Sequence, residues 1–310
     1  MLISIITGSQ ETVVFTIQSG ESLTSISQRL DQANIINSSF FFRRHLANQN
    51  LDQKIQVGSF TIPTNSSNQQ VAEIITNPQL VNNTKLTIPE GYKVSQIDET
   101  LHSLGIIQKG EFIAYTQNPN IQHPVLDYIP ENKNSLEGFL YPDTYFIDPG
   151  QYTSADLVQK MLNNFQSKLP QDWKTKIQNL PEKDLYSLIT MASIVEREVL
   201  SAKDKSIVAG ILWKRMASDW RIDADAALLY DQDDNIITQT DLQSNSPYNL
   251  RKFKGLSPTP ISNPSQETIQ ATLNPTPTDY WFYLTTLDTG EVIYSKTIEE
   301  HNLNVQKYLR

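Results

Sequence analysis

The strongest constraint on the fold of this 310-residue chain is that part of it occurs twice. TIQSGESLTSISQRLDQANII, Thr16 to Ile36, aligns without a gap on TIPEGYKVSQIDETLHSLGII, Thr87 to Ile107, and the same register carries Phe41 onto Phe112. Thr16, Ile17, Gly20, Ile26, Leu30, Ile35 and Ile36 each meet an identical residue. Both copies read as a short strand, a turn at Gly20 or Gly91, and an amphipathic helix with apolar residues at Leu23, Ile26 and Leu30, or Val94, Ile97 and Leu101. A glycine-led strand and a further helix follow each copy: GSFTIP from Gly58 with VAEIITN from Val71, then GFLYPDTYFI from Gly138 with DLVQKMLNNF from Asp156. Small strand-helix units on the N-terminal side and a larger mixed domain after them imply an α+β fold. A duplicated packing unit that binds nothing is the alternative to a ligand-binding reading of the repeat.

The bulk numbers exclude several classes of function. The length suffices for two domains or one large one, and 38% hydrophobic with 19% charged residues describes an ordinary globular chain. A net charge of −9 with no basic block makes nucleic acid an unsuitable partner. Without cysteine there is neither a disulfide framework nor a thiolate metal site. The histidines His45, His102, His123 and His301 are scattered, and HExxH, GxSxG and a phosphate-cradling glycine loop are all missing, so no metal or other cofactor is expected. The run DQDD from Asp231 could hold a cation, but a solvated loop is the plainer account, and His301 reads as a capping group of the last helix. The opening MLISIIT is too short to span a bilayer and reads as a first strand or as the stub of a membrane anchor.

The second half changes character. Two helical patterns, Pro181 to Leu200 and KDKSIVAGILWKRMAS, precede DADAALLYD, a proline-rich loop between Pro247 and Pro264, a hairpin with its turn near Asp288 to Gly290, and a closing helix TIEEHNLNVQKYL. In the first helix, Leu185, Ile189, Ala192, Val199 and Leu200 project within about 60° of Glu196, whereas Arg197 and Glu198 point away from that stripe. A carboxyl group in an apolar stripe is neutralised, paired or used. Desolvation raises its pKa, which suits a general acid that protonates a leaving oxygen, and glycosidic cleavage is the reaction class that most often uses one. A conventional hydrolase would need a second carboxylate about 5 to 9 Å away, for which Asp225 and Asp143 are candidates. A glutamate that merely pairs with a buried arginine or caps backbone fits the pattern equally well.

MASIVEREV, VAGILWKRMAS, DADAALLY, LEGFLYPDTY from Leu136, SPYNLRKFKGLSPTPISNP from Ser246 and the C-terminal YSKTIEEHNLNVQKYL together resemble, in order, the motifs of the endolytic murein transglycosylases of the MltG or YceG-like family. The first repeat copy is similar to the LysM pattern of peptidoglycan-binding modules. The resemblance runs from about Val13 to Leu309. It implies a LysM-like subdomain over 12–82 and a catalytic domain over 83–310, in which 83–150 is a second LysM-like unit. It further implies cleavage of the MurNAc-GlcNAc β-1,4 bond of nascent glycan strands at the extracytoplasmic face of the bacterial cytoplasmic membrane, reached through an N-terminal anchor. Cell-wall synthases become candidate partners.

The family's catalytic glutamate falls on Glu196 and its second motif glutamate on Glu198. Glu196 would protonate the oxygen leaving C1 and then take a proton from the C6 hydroxyl, closing 1,6-anhydro-MurNAc without water. Substrate contacts are expected from Glu198, Asp225, Tyr248, Asn249, Asp143 and Tyr145, in a cleft between the Glu196 helix, the proline loop and the PDTY segment. The chain departs from the family pattern at Leu250, at Ser257 and Thr259, at Ala226 and Ala227, and at Val292. A non-catalytic peptidoglycan-binding module and a hydrolytic muramidase are the alternatives.

Overall fold

The structure, a computed structural model, describes residues 11–17, 21–82, 84–149, 151–230, 237–286 and 288–309. MLISIIT, the first turn glycine Gly20 and the acidic run from Asp231 lie outside the described residues. Among the described residues, twelve α-helices accompany three two-stranded sheets, an α+β architecture. The chain divides into two compact units, one of Met1–Leu86 with Phe146–Tyr152 and one of Thr87–Tyr145 with Thr153–Arg310.

In the first unit, β1 (Thr12–Ile17) is followed by α1 (Leu23–Gln32), α2 (Ser39–Asn48), β2 (Gly58–Pro63) and α3 (Asn68–Thr76). β1 and β2 pair antiparallel with Phe15 opposite Phe60 and Val13 opposite Ile62. Their inward side chains meet Ile26 and Leu30 of α1, Phe42 and Leu46 of α2, and Val71 and Ile75 of α3 in one apolar core. Spacing by four residues places each helical pair on one face, and burying such a side chain contributes about 1.5–3 kcal/mol. The Ser22 hydroxyl caps α1 by accepting from Ser25 N–H, and Ser67 with Gln70 forms a capping box on α3.

The same order of elements then returns: β3 (Thr84–Thr87), α4 (Val94–Ser103), α5 (Glu111–Gln117), β4 (Thr144–Ile147) and α6 (Ser154–Lys168). β3 pairs with β4, and the division between the units falls within both strands. α1 and α4 occupy corresponding stretches of the gapless alignment, but the register slips by one residue before the next helix. The buried phenylalanines are Phe42 and Phe112, whereas Phe41 is 64% exposed. The expected pairing of Phe41 with Phe112 is therefore wrong by one position. The second glycine-led strand also begins later than its sequence suggests, because Leu136, Phe139, Leu140 and Tyr141 are buried as core and only Thr144–Ile147 pairs.

The rest of the second unit comprises α7 (Trp173–Lys176), α8 (Leu185–Glu198), α9 (Ala202–Ala217), α10 (Gln239–Gln243), α11 (Gln266–Leu273), β5 (Phe282–Thr285), β6 (Val292–Ser295) and α12 (Ile298–Tyr308). β5 and β6 form the expected hairpin. α8 is buried on nearly every side from Leu185 to Val195, and it packs against both α9 and α11. It starts at Leu185 rather than Pro181 because the Asp184 carboxylate accepts from Ser187 N–H at 2.8 Å. It stops at Glu198, with Val199 extended and Leu200 92% exposed, so the apolar stripe is shorter than predicted.

α9 is held close to α11 and to the segment after it. Ser206 O accepts from Thr276 N–H at 2.9 Å, and the Trp213 indole donates to Thr272 O at 3.1 Å. A β-carbon at Gly210 would lie 2.2 Å from Thr276 O. We expect Gly210→Ala to cost about 1–3 kcal/mol through this overpacking, read as a lower denaturant midpoint at unchanged slope. An unaltered midpoint would mean that the Thr276 segment moves aside freely.

Candidate functional site

Glu196 lies in the last turn of α8, where the helix emerges from the core. Its side chain is 7% exposed and faces polar groups rather than the apolar pocket that helical spacing predicts. One carboxylate oxygen accepts from the Ser265 backbone N–H and from the Ser265 hydroxyl, both at 2.8 Å. The other accepts from the Lys205 ammonium at 3.3 Å. Ser265 is the N-cap of α11, its hydroxyl also accepting from Thr268 N–H at 3.2 Å. The carboxylate thus faces the N-terminus of a helix, where unsatisfied N–H groups and the helix dipole favour negative charge. Lys205, at the end of the first turn of α9, is itself 5% exposed and also reaches Glu267 at 3.4 Å.

Two groups that sequence reasoning missed complete this surrounding. Glu90, from the PEG turn ahead of α4, has its pKa raised by partial burial and then by the Glu196 charge, with Lys205 pulling the other way. Tyr141 is buried, and its phenol is pushed up mainly by burial, against a hydrogen bond from the Gln266 backbone; the charges of Glu90, Asp143 and Glu196 act in the same direction as burial. The YPDTY segment therefore reaches the electrostatic neighbourhood of Glu196 through Tyr141. Gly91 makes room there, with a left-handed φ of +74° and a would-be β-carbon 3.5 Å from Glu196 Cγ.

The proline loop approaches Glu196 by its far end. Ile261 N–H donates to the Ser193 hydroxyl at 2.9 Å, and the Ser262 hydroxyl donates to Ser193 O at 3.2 Å, so residues 261–265 run along α8. Tyr248, near the start of the loop, packs on the Tyr230 ring at 4.9 Å, and its hydroxyl bonds the Thr259 hydroxyl at 2.8 Å. Asn249 is fully buried, its amide donating to the carbonyls of Asp241, Leu242 and Ser244. Leu250 is buried as well. Asn249 thus holds loop backbone together and does not face solvent.

On the PDTY segment, Asp143 accepts from the Asn164 amide of α6 at 3.1 Å. Tyr145 is buried and donates to Tyr141 O at 2.6 Å, so it supports Tyr141 from behind. Glu198, two residues beyond Glu196, is turned to another side of α8. It accepts from the Tyr283 hydroxyl at 3.0 Å and from Ala226 N–H at 3.4 Å, and burial raises its pKa against those two bonds. On that side, away from the Glu196 stripe as the helical projection expects, it lines a cavity of about 740 Å³ with Asp225, Arg251, Arg215 and His301. Asp225 is engaged there by the Arg251 guanidinium. Of the seven sequence-predicted site residues, Glu198 and Asp225 therefore share this cavity, while Glu196 is surrounded by Lys205, Ser265, Glu90 and Tyr141.

Among the described residues no three His, Asp or Glu side chains converge as metal ligands, and no helix is long and apolar enough to cross a membrane. The arrangement at Glu196 offers a carboxyl group for proton transfer, fixed by three hydrogen bonds, with a second carboxyl nearby.

The chain as a whole is similar to known proteins. The model of the YceG-like family matches residues 15–307. The chain is 27% identical to the endolytic murein transglycosylase of Bacillus subtilis (strain 168) over 97% of its own length and 86% of the relative's. It is also 27% identical to the endolytic murein transglycosylase of Streptococcus pneumoniae, covering 99% of this chain and 60% of that one. A crystal structure of a YceG-like protein from Listeria monocytogenes superposes with a TM-score of 0.64 at 27% identity, covering 95% of this chain and 99% of that one.

The Glu196–Lys205 pair is nearly excluded from water, so removing one partner leaves an uncompensated charge. Lys205→Met should cost about 3 kcal/mol at neutral pH in denaturant unfolding, and adding Glu196→Gln should restore part of that loss. Strict additivity of the two substitutions would show that the pair carries no coupling.

Proposed function

The chain belongs to the YceG-like family, and from that premise we propose that it is an endolytic murein transglycosylase in which Glu196 is the catalytic acid and base. The observation that carries the reading is the enclosed carboxyl group at the end of α8, held by Ser265 and Lys205. A group that must first donate and then accept a proton at one point in space benefits from such fixed placement.

The Lys205 ammonium and the Ser265 donors favour the carboxylate, so Glu196 has to take up a proton as the substrate arrives; in the first half of the reaction it gives that proton to the glycosidic oxygen as the bond from C1 of MurNAc breaks. The resulting carboxylate is stabilised in place by the Ser265 N–H and hydroxyl and by the Lys205 ammonium. In the second half the C6 hydroxyl of the same sugar closes on C1 and returns its proton to Glu196. One C–O bond is lost, one is formed, and no water enters. Lys205 and Ser265 touch the reacting group from behind and act by positioning it. The neighbouring positions of Tyr141 and Glu90 suit contacts with sugar hydroxyls. Glu198 and Asp225, in their own cavity, are further candidates for substrate contact.

The substrate is the glycan strand of peptidoglycan, and the site of action is the cell wall. The first unit, with residues 12–82 as a LysM-like subdomain, would hold the strand while the second unit cuts it, and 83–150 would be a second such repeat. An N-terminal anchor and partnership with cell-wall synthases belong to the same reading.

A hydrolytic muramidase is the second reading, and Glu90 is the observation that favours it. A second carboxyl near Glu196 whose proton is held more tightly than usual is the kind of group that an acid-plus-base hydrolase needs. Mass spectrometry of purified glycan strands after digestion separates the two, since an anhydro end is one water lighter than a reducing end. We expect anhydro ends from the wild type and at least about a hundredfold slower cleavage by Glu196→Gln. Reducing ends, lost on Glu90→Gln, would establish the hydrolase instead. Strand binding without cleavage by the folded protein would leave only a binding module.

A further inference from the structure

Glu137 is a carboxyl group that the proposed reaction does not use, yet it is only 2% exposed. It accepts from the Val94 backbone N–H at 3.0 and 3.2 Å, from the Tyr230 hydroxyl at 3.2 Å and from the Asn263 side-chain amide at 3.0 Å. These donors come from three separate stretches: the start of α4, the segment after Ala227, and the proline loop. Asn263, also fully buried, has every group engaged. Its amide nitrogen reaches Tyr92 O and its side-chain oxygen accepts from Leu140 N–H, both at 2.9 Å. Its backbone donates to Tyr92 O and accepts from Gly91 N–H, again at 2.9 Å.

The link from Asn263 to Glu196 is short. Only Pro264 separates Asn263 from Ser265, and the proline ring restricts the backbone between them. Gly91, bonded to Asn263, also lies against the Glu196 side chain. A displacement of Asn263 is therefore felt at Glu196 from two directions, through the Ser265 donors and through the Gly91 turn.

We propose that Glu137 is a positioning residue for Glu196: in its charged form it pins Asn263 and thereby the two Ser265 donors, and protonation of Glu137 loosens that hold and slows cleavage. The inference rests on the reading of Glu196 as the cleaving acid. Val94, Tyr230 and Asn263 all donate to Glu137, so the charged form satisfies all three. A proton on Glu137 has only the Tyr230 hydroxyl to receive it, and any other placement turns a donor away.

The titratable groups facing Glu137 are Lys93, from the start of α4, and Tyr230. Lys93 bonds Leu229 O and Tyr230 O at 3.3 and 3.4 Å. α8 and the proline loop contribute Ile189, Pro260 and Asn263 beside Gly138 and Glu137, none of which titrates. Ile113, Thr116 and Gln117 of α5 line the small adjoining cavity of about 210 Å³ and do not titrate either. Burial holds the Glu137 carboxyl up at about 7, against the pull of Val94 N–H, the Tyr230 hydroxyl and Lys93.

Because the folded-state value lies above that of an ordinary carboxyl, the stability contribution of Glu137 is fully present at low pH and is lost as pH rises through about 7. Cleavage should change the other way, rising as Glu137 becomes charged. A purely structural role would make the two trends parallel.

The test compares the full chain with its Glu137→Gln and Tyr230→Phe variants across the neutral pH range, measuring kcat and KM on glycan strands. It is paired with NMR of the ¹⁵N-labelled Ser265 amide. For the wild type we expect an acid limb in kcat and an Ser265 amide titration with a shared midpoint near 7. Tyr230→Phe removes a group that bonds Glu137 in either form and should move both midpoints together, away from the wild-type value. Glu137→Gln should flatten both and lower kcat about tenfold with KM little changed. If Glu137→Gln fails to fold, whether Tyr230→Phe moves the kcat and Ser265 midpoints together decides. An Ser265 amide that is indifferent to pH, or that keeps the wild-type midpoint in the folded variants, overturns the proposal. Absence of cleavage by the wild type would instead overturn the proposed function, and the amide titration would still decide whether Glu137 controls Ser265.

Discussion

The second unit is organised around one helix that has almost no free surface. α8 is enclosed from Leu185 to Val195 by α9, α11 and the loop before α11, so its register along its own axis is set by packing on several sides at once. That constraint decides where its last turn emerges. Glu196 comes out opposite the N-cap of α11 and beside Lys205, while Glu198 comes out toward Tyr283 and Ala226. A helix that slid or rotated by one residue would bring Val195 or Arg197 to the place of Glu196, and the pair with Lys205 would be lost.

Three enclosed glutamates in this unit show how differently a protein can accommodate a carboxyl group. Glu196 is matched by a cation and by helix N-terminal donors, an arrangement that keeps a negative charge in place without bulk water. Glu198 has two weaker neutral donors, and burial dominates. Glu137 has several donors, but complete enclosure outweighs them and holds its carboxyl up at about 7. The same residue type is thus one half of an enclosed ion pair, a polar wall of a cavity and a tie between segments.

Much of the fold was legible in the sequence, because local rules suffice where one face of an element is buried. Period-four apolar spacing located α1 and α4, glycine and proline located the turns, and alternation located the C-terminal hairpin. The errors came where tertiary packing overrode a local pattern. Phe41 looked equivalent to Phe112 because the alignment has no gap, but Phe42 is the residue that fills the core. GFLYPD looked like a strand because it is apolar, but its residues are enclosed on more than one side and never enter a ladder. Leu200 looked like part of the stripe because the helical projection ignored the end of the helix at Glu198.

The sequence by itself determined the α+β class, the repeated strand-helix units, the family and the unusual placement of a glutamate within an apolar helix. Each of these depends on residues close together in the chain or on the order of motifs along it. Only the tertiary structure decided what surrounds that glutamate. Lys205, Ser265, Glu90 and Tyr141 come from four separate stretches, and no spacing rule connects them to Glu196. The expected apolar pocket proved to be an ion pair at a helix N-terminus because electrostatic surroundings are set by what packs across a helix, and helical periodicity describes only the helix's own side of that contact.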